Sequence, residues 1–201
     1  NKAENKAFSI SDKLTTDSKT VQKNYKEKIN VDFIYLPAPL DVKKFKKIKK
    51  LDKKKNQIIY IGRDSYEKGI DILKNIESKV NGKIIYCTNF SWEETMAILK
   101  SSSILVVPSR MESIPQVIKE AFYLKIPVIA TDVGGISEII KNKKTGILIP
   151  PEEPQKMLKA INELLVNDSL MEILQNNGFE LITQNFSWEK LLPKYIELYE
   201  K

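Results

Sequence analysis

The chain has 201 residues, of which 42% are hydrophobic and 29% are charged, a composition typical of soluble globular proteins with one sizeable core. It has no histidine and one cysteine, Cys87, which excludes histidine acid–base catalysis, an internal disulfide and most zinc chemistry. Neither an Asp-x-Asp pair nor a cysteine cluster predicts a metal site. The net charge of +7 favours anionic partners such as nucleotides, phosphates or acidic lipid surfaces.

The first part of the chain, residues 1–57, lacks a regular alternation of strands and helices. "DKLTTDSKTVQKNYKEK" predicts a short strand and then a helix, and the two prolines of "LPAPLD" predict an extended connector. "VKKFKKIKKLDKKK" (residues 42–55) follows, with nine lysines and one aspartate. A solvated linker, a contact with an anionic membrane and a nucleic-acid contact all remain open. The last is least favoured, because no arginines are interleaved to stack on bases.

Strands and helices alternate in the rest of the chain. Its apolar runs are almost continuous, as in strands covered on both faces, and they read "QIIYIG", "KIIYCT", "SILVVPS", "IPVIATD" and "TGILIPP". Helices are predicted over residues 68–80, 91–101, 115–125, 136–141, 154–166, 169–176 and 187–199. This order predicts an α/β fold, a doubly wound, Rossmann-like parallel sheet with C-terminal helices. No GxGxxG follows the first strand, so dehydrogenase-type dinucleotide binding is not supported.

Ligands of such a sheet bind at the carboxyl ends of the strands. After the first strand, "GRDSYEKG" places Arg63 and Lys68 around a turn into a helix. Two cations beside a helix N-terminus make a good diphosphate site, although this pattern taken alone slightly favours two ordinary surface cations.

The loop after the third strand reads "PSRMESIPQVIKEA". Ser113 and Gln116 match a capping box, so we expect the helix to begin at Ser113 and to leave Glu112 in the loop at its positive end. Glu120 lies on the shoulder of the apolar face of that helix. A carboxylate there either reaches water or binds hydroxyl or N–H groups, such as sugar or ribose hydroxyls.

Two further loops carry candidate residues. Gly134 and Gly135 turn the chain into a helix, and glycines there permit positive φ and close approach of a ligand, or serve the turn alone. Phe90 lies at the rim after the second strand, where either a nucleobase lies against the loop or Ser91 only caps a helix with Glu94.

The segments "IGRDSYEKG", "VVPSRMESIPQVIKEA", "IPVIATDVGGISEII", "KTGILIPP" and "FSWEKLLPKYIELYE" together resemble the nucleotide-sugar-binding half of the retaining glycosyltransferases of family 4 (group 1). These enzymes adopt the GT-B fold, and the segments come in the order of the family over residues 34–199. The resemblance implies a UDP- or GDP-linked sugar as donor, with no metal and no other cofactor.

The resemblance also implies roles for single residues. Arg63 and Lys68 would hold the diphosphate and stabilise its charge as the glycosidic bond breaks, and with Glu112, on the transferred sugar, they form the expected catalytic set. Glu120 would bind the ribose hydroxyls, and Phe90 would line the base. The remaining donor contacts would come from backbone N–H groups and the glycine turn, at Ser113, Ile114, Val117, Ile118, Gly134 and Gly135.

The chain departs from the family in two places. Only "KIIYCT" stands where members commonly have a strand, a helix and a strand, which weakens the assignment of the base loop. Pro115 has no N–H to offer the sugar.

The resemblance implies four parts for the chain. We expect residues 1–33 to be the remnant of an acceptor domain, 34–57 an interdomain connector, 58–186 the donor domain and 187–201 a helix that crosses back. The chain would then be a fragment that binds donor without transferring sugar to its lipid-linked or glycan acceptor. A non-catalytic nucleotide-sugar-binding module and a membrane or scaffold protein are the alternatives. The expected location is the cytoplasm, with the inner face of the membrane as a further contact.

Overall fold

The computed structural model describes residues 8–200, so the two ends of the predicted segments, residues 1–7 and 201, lie outside it. Strand β1 (Thr15–Thr16) and helix α1 (Lys19–Ile29) follow the sequence prediction of a short strand and then a helix. Strand β2 (Ile34–Tyr35), which was not predicted, pairs with β1 in a small parallel sheet. Helix α1 begins at Lys19 because the Ser18 side chain accepts a hydrogen bond from the Val21 N–H. An extended connector and a 3-10 helix at Val42–Lys47 follow.

A parallel sheet of five strands forms the centre of the remaining chain. Each predicted apolar run supplies one strand: β3 (Gln57–Ile61), β4 (Lys83–Cys87), β5 (Ile104–Val107), β6 (Val128–Thr131) and β7 (Ile147–Ile149). The strand order is β4-β3-β5-β6-β7, and Ile59 of β3 pairs with Ile85 on one side and Leu105 on the other. After β4, the chain crosses to the other side of β3 and adds β5 there, so the strand order changes direction between β3 and β5. Folds of this kind open a ligand crevice at such a point.

The helices that follow these strands are α2 (Ile70–Ile76), α3 (Trp92–Ser101), α4 (Gln116–Tyr123), α5 (Ile136–Ile139), α6 (Pro154–Leu165), α7 (Asp168–Asn185) and α8 (Trp188–Glu200). Among these seven, only α7 and α8 exceed the length of α6. Within residues 8–200, no helix combines the length and the apolar character needed to cross a membrane.

Helix α7 is much longer than the predicted 169–176. It continues through Gly178 because a stripe of Leu174, Gly178 and Ile182 is buried. A Cβ at Gly178 would lie 2.7 Å from the Phe122 ring of α4, so the absent side chain lets the two helices approach closely. Tertiary packing therefore outweighs the low helix propensity of glycine at this position.

The core lies on both faces of the sheet. Ile58 and Tyr60 of β3 pack among α2 and α6 residues, whereas Ile59 packs on the opposite side among residues of α3 and α4. Successive residues of a strand point to opposite faces of the sheet, and helices cover both faces here. Both sets of residues are therefore apolar, and the strands show no alternation of apolar and polar residues. The predicted α/β fold with a doubly wound parallel sheet is confirmed.

Candidate functional site

The carboxyl ends of β3 and β5 bring two predicted site residues into contact. Lys68 Nζ lies 2.6 Å from Glu112 Oε1, and the hydroxyl of Ser109 donates to the same oxygen at 2.8 Å. The side chains of Lys68 and Glu112 are 27% and 10% exposed. The structure therefore places an almost buried carboxylate and its neutralising ammonium at the crevice end of the sheet.

The loop carrying Glu112 (residues 108–115, the β5 loop) is fixed from one side by the glycine turn. Gly134 has a φ of 56°, and a Cβ there would lie 1.7 Å from the Glu112 carbonyl oxygen. The Gly135 N–H donates to the Ser113 carbonyl oxygen at 2.9 Å. These glycines therefore permit the close approach of the backbone carbonyl groups of Glu112 and Ser113.

A third glycine, which the sequence reasoning did not single out, fixes the other side of the β5 loop. Gly69 follows Lys68 with a φ of 67°, and a Cβ there would lie 2.1 Å from the Pro108 carbonyl oxygen. The sequence feature that could have indicated this glycine is the Lys-Gly pair at the end of a short turn, because glycine often adopts a left-handed conformation there. Gly69 and Gly134 therefore hold the loop backbone between them.

The predicted start of α4 is wrong. The helix begins at Gln116 after Pro115, which has an extended ψ of 125° and no side-chain capping bond. The Ser113 hydroxyl donates to Asp17 Oδ1 of the N-terminal segment instead of capping the helix. Glu112 therefore precedes the helix by four residues, and its carboxylate is paired with Lys68.

Arg110 joins three loops at this edge and was also missed. Its guanidinium donates to both carboxylate oxygens of Asp71, at 2.7 and 2.8 Å, to Glu152, and to the Tyr66 carbonyl oxygen at 2.7 Å. The guanidinium carbon lies 3.9 Å from the Tyr66 ring centroid. The backbone N–H of Arg110 donates to the Glu67 carbonyl oxygen. Hydrogen bonds from Arg110 lower the pKa of Asp71.

Glu120 occupies a different environment, in the wall of a cavity of about 400 Å³. The side chain is 9% exposed, and Oε1 accepts a hydrogen bond of 2.8 Å from the Trp92 indole N–H. Burial raises the pKa of Glu120, while the Trp92 hydrogen bond and the charge of Lys119 oppose this rise. The other residues that line the cavity are Pro39, Leu40, Asp41, Lys44, Phe45, Gln116 and Trp188.

Lys119, next to Glu120, is a further residue that sequence reasoning missed. Its side chain is 1% exposed, and its ammonium donates to the Ala38 carbonyl oxygen at 2.8 Å. The nitrogen also lies 5.6 Å from the Phe186 ring centroid. Burial lowers the pKa of Lys119, and the charges of Asp17 and Glu120 oppose this. Lys119 thus ties the connector to the helix that carries Glu120.

Glu138 fastens the N-terminal segment to the same edge of the sheet. Its carboxylate accepts hydrogen bonds from the Ser18 hydroxyl at 2.7 Å and from the Lys19 and Thr20 N–H groups at 3.0 and 2.8 Å. Burial acts to raise the pKa of Glu138, but these hydrogen bonds outweigh it, and the pKa lies below its ordinary value. The carboxylate therefore completes the cap of α1.

The remaining predicted residues do not all lie together. Arg63 is exposed on the β3 loop, and Phe90, 50% exposed, lines a separate groove with Lys47 and Lys49. The Ile118 N–H already donates to the Pro115 carbonyl oxygen at 3.1 Å.

Ile114 is buried in the core, and Val117 packs against the core.

Within residues 8–200, no group of three or more cysteine, aspartate or glutamate side chains could hold a metal ion.

This sheet, with helices on both faces, matches the C-terminal domains of GT-B glycosyltransferases. Sucrose-phosphate synthase from Thermosynechococcus elongatus superposes with a TM-score of 0.84 at 20% identity, over 99% of this chain and 60% of that one. Anabaena HepE in complex with UDP-glucose gives a TM-score of 0.83 at 15% identity, over 98% of this chain and 65% of that one. These similarities establish the fold.

The amino-acid sequence then identifies the family. Residues 74–181, more than half of the chain, match the glycosyl transferases group 1, and the chain belongs to this family. An uncharacterized glycosyltransferase of Methanocaldococcus jannaschii is 37% identical over 111 residues, which cover 55% of this chain and 31% of that protein. The matched segments cover 31%, 44% and 48% of the length of three curated relatives, so the chain spans less than half of each of these proteins.

Proposed function

We propose that this chain is the donor-binding part of a retaining glycosyltransferase of family 4. The donor is a sugar linked to UDP or GDP, and the acceptor is a glycan or a lipid-linked molecule held by a further domain. Binding of the donor requires no metal, and the chain alone binds donor without transferring the sugar. The UDP-glucose in the complex of Anabaena HepE, which has the same fold, supports a nucleotide sugar as the partner.

The cavity around Glu120 is the observation that carries this proposal. Oε1 of Glu120 is held by Trp92, and within residues 8–200 no hydrogen-bond donor contacts Oε2. Oε2 is not an enclosed unpaired atom, so it is open to the cavity. A largely buried carboxylate with one oxygen open to a cavity favours a ligand that brings hydroxyl donors, and the two hydroxyls of a ribose meet this requirement. The apolar walls from Phe45, Trp92 and Trp188 can cover the faces of a nucleoside.

The ion pair at the neighbouring loop explains how an anionic donor can lie beside a second carboxylate. Lys68 neutralises Glu112, so a diphosphate does not meet an uncompensated negative charge there. The exposed guanidinium of Arg63, on the same loop as Lys68, provides a second cation for the diphosphate. Glu112 would then accept hydrogen bonds from the hydroxyls of the transferred sugar.

The proposed chemistry places few demands on proton transfer by the protein. The bond between the anomeric carbon and the diphosphate oxygen breaks, and a bond from the acceptor oxygen to that carbon forms on the same face. The acceptor proton passes to the leaving phosphate oxygen. Lys68 and Arg63 stabilise the charge that develops on the diphosphate, which explains how a chain without histidine can serve this reaction.

Thermal unfolding with UDP and with GDP tests the proposal. At a nucleotide concentration about 100 times Kd, binding adds about 2.7 kcal/mol, which raises Tm by roughly 5–10 °C for a domain of this size. Arg63→Ala and Glu120→Ala should each remove most of this shift, while Lys156→Ala, an exposed cation on α6, should preserve it. If neither nucleotide raises Tm, or if all three variants respond alike, the cavity does not bind the donor.

A turnover assay separates the proposal from its alternative, a non-catalytic nucleotide-sugar-binding module. The chain would be joined to the coding sequence that precedes it and supplied with nucleotide sugar and glycan or lipid acceptors. Sugar transfer that is lost in Glu112→Gln supports a glycosyltransferase. Tight donor binding without any transfer supports the binding module.

A further inference from the structure

The lysine-rich segment forms a fixed surface along the flank of the sheet rather than a loose linker. Phe45 and Ile48 are buried in the core, and the Phe45 ring contacts the rings of Trp92 and Tyr123 at centroid distances of 5.3 and 4.7 Å. At the far end, the Lys53 ammonium donates to the Ser102 carbonyl oxygen at 2.7 Å. Phe45 and Ile48 are three residues apart and buried, so the pairs of lysines before, between and after them are exposed.

These lysines, at positions 43, 44, 46, 47, 49 and 50, form no direct salt bridges within 4.0 Å in the described residues 8–200. Carboxylates lie near both ends of the segment: Glu189 and Glu120 interact with Lys43 and Lys44, and Asp52, Glu93 and Glu94 lie near the lysines that follow. The segment still holds nine lysines against one aspartate, so it keeps an excess of positive charge that favours an extended anionic partner.

Apolar side chains lie beside these lysines. Phe90 is 50% exposed and Leu51 is 37% exposed, and together with Lys47 and Lys49 they line a groove of about 330 Å³. We define the connector face as residues 46–51 together with Phe90. Lysines that flank an exposed aromatic ring and an aliphatic side chain are typical of surfaces that lie at the interface of a bilayer.

We propose that the connector face binds the headgroup surface of an anionic lipid bilayer. The lysines lie among the headgroups, while Phe90 and Leu51 enter the boundary with the acyl chains. Nucleic acid fits less well, because the segment offers no arginine and the face offers one exposed ring, so successive bases have no stacking platform. The same segment supplies Lys44 and Phe45 to the Glu120 cavity, so this contact would hold the cavity near the membrane.

Sedimentation of the whole chain with lipid vesicles tests this proposal. Vesicles of phosphatidylcholine with phosphatidylserine should bind the protein at low salt, and vesicles of phosphatidylcholine alone should not. Replacement of Lys46, Lys47, Lys49 and Lys50 by glutamine should weaken binding by at least ~100-fold, since each lysine near an anionic surface contributes roughly a fivefold factor. The control replaces Lys143, Lys144, Lys156 and Lys159, which are exposed elsewhere, and should keep most of the binding.

Two further measurements separate this surface from a general effect of net charge. Phe90→Ser should weaken vesicle binding severalfold and make the remainder more sensitive to salt, because it removes the apolar contact and leaves the charges. Thermal unfolding checks that each variant is folded. Equal loss of binding in the two four-lysine variants would overturn the proposal, as would binding of single-stranded RNA in the absence of any binding to anionic vesicles.

Discussion

Glu112 and Glu120 are separated by seven residues, yet the structure holds them by different means. Glu112 lies in a loop, where an ammonium and a hydroxyl contact one oxygen and where two glycines fix the backbone. Glu120 lies on a helix, where burial raises its pKa and a neutral indole N–H is its hydrogen-bond donor. Glu112 forms a direct ion pair, whereas Glu120 forms none within residues 8–200 and is favoured as an anion only by the more distant charges of Lys119 and Lys44.

Because of this difference, we expect different substitutions to disturb the two glutamates. Glu112 is held beside Lys68, and its position depends on the backbone of three neighbouring loops. Glu120 carries a burial penalty that a ligand with hydroxyl donors would relieve. A change in the loop backbone should therefore displace Glu112, whereas a change in side-chain hydrogen bonding should act on Glu120.

The largest effect is expected for Gly134→Ala, which acts on the Glu112 side. The new Cβ would overlap the Glu112 carbonyl oxygen at 1.7 Å, and alanine is strained at a φ of 56°. We expect the free energy of unfolding to fall by about 2–4 kcal/mol, measured by urea denaturation. The tryptophan emission of the folded protein should stay unchanged, because the Trp92–Glu120 contact lies outside this loop.

Gly62→Ala is the matched control for this prediction. Gly62 has no left-handed φ, and the nearest atom to a new Cβ is the Tyr60 hydroxyl at 3.0 Å, at the end of a side chain. The buried Tyr60 ring need give way by only a few tenths of an ångström, so the loss should be smaller than for Gly134→Ala. Equal losses in the two variants would show that the β5 loop can move aside for a Cβ at position 134 without a large cost in stability.

The sequence predicted the sheet because the apolar runs are continuous, and it placed Lys68 and Glu112 at one edge because parallel strands end together. It did not predict contacts that depend on residues far apart in the chain. The Arg110 bonds to Asp71 and Glu152 span 39 and 42 positions, and the Ser113 bond to Asp17 spans 96. The Ser113 capping box failed for this reason: Ser113 could bond either its own helix or a distant carboxylate, and only the fold decides.

An intermediate effect is expected for Trp92→Phe, which acts on the Glu120 side. The variant keeps an aromatic ring but removes the indole N–H, so the ionised carboxylate loses a hydrogen bond worth about 1.5–3 kcal/mol. Since the pKa of Glu120 is already raised above its ordinary 4.5, stability falls as pH rises through that folded-state pKa. Trp92→Phe raises this pKa further, so its deficit in unfolding free energy should grow from acid to neutral pH.

Glu120→Gln provides the reference for that pH dependence. The amide oxygen can still accept from Trp92, but it does not titrate, so Trp92→Phe combined with Glu120→Gln should cost the same at acid and neutral pH. Urea denaturation across this pH range measures both backgrounds. A deficit for Trp92→Phe that is independent of pH in the wild-type background would assign the loss to packing rather than to the carboxylate.

The smallest effect is expected for the ion pair between Lys68 and Glu112. A double-mutant cycle of Lys68→Met and Glu112→Gln should give a coupling of about 1 kcal/mol, because the lysine is partly exposed and water screens the pair. The coupling should decrease as salt is added, whereas the effect of Trp92→Phe, in a more buried contact with a neutral donor, should change little. A cycle with Lys74→Met and Asp64→Asn, an exposed pair at 3.1 Å, should give a smaller coupling. If the Lys68–Glu112 coupling instead equals that of this exposed pair at every salt concentration, the ion pair does not compensate Glu112, and the proposed contrast in charge between the two glutamates is lost.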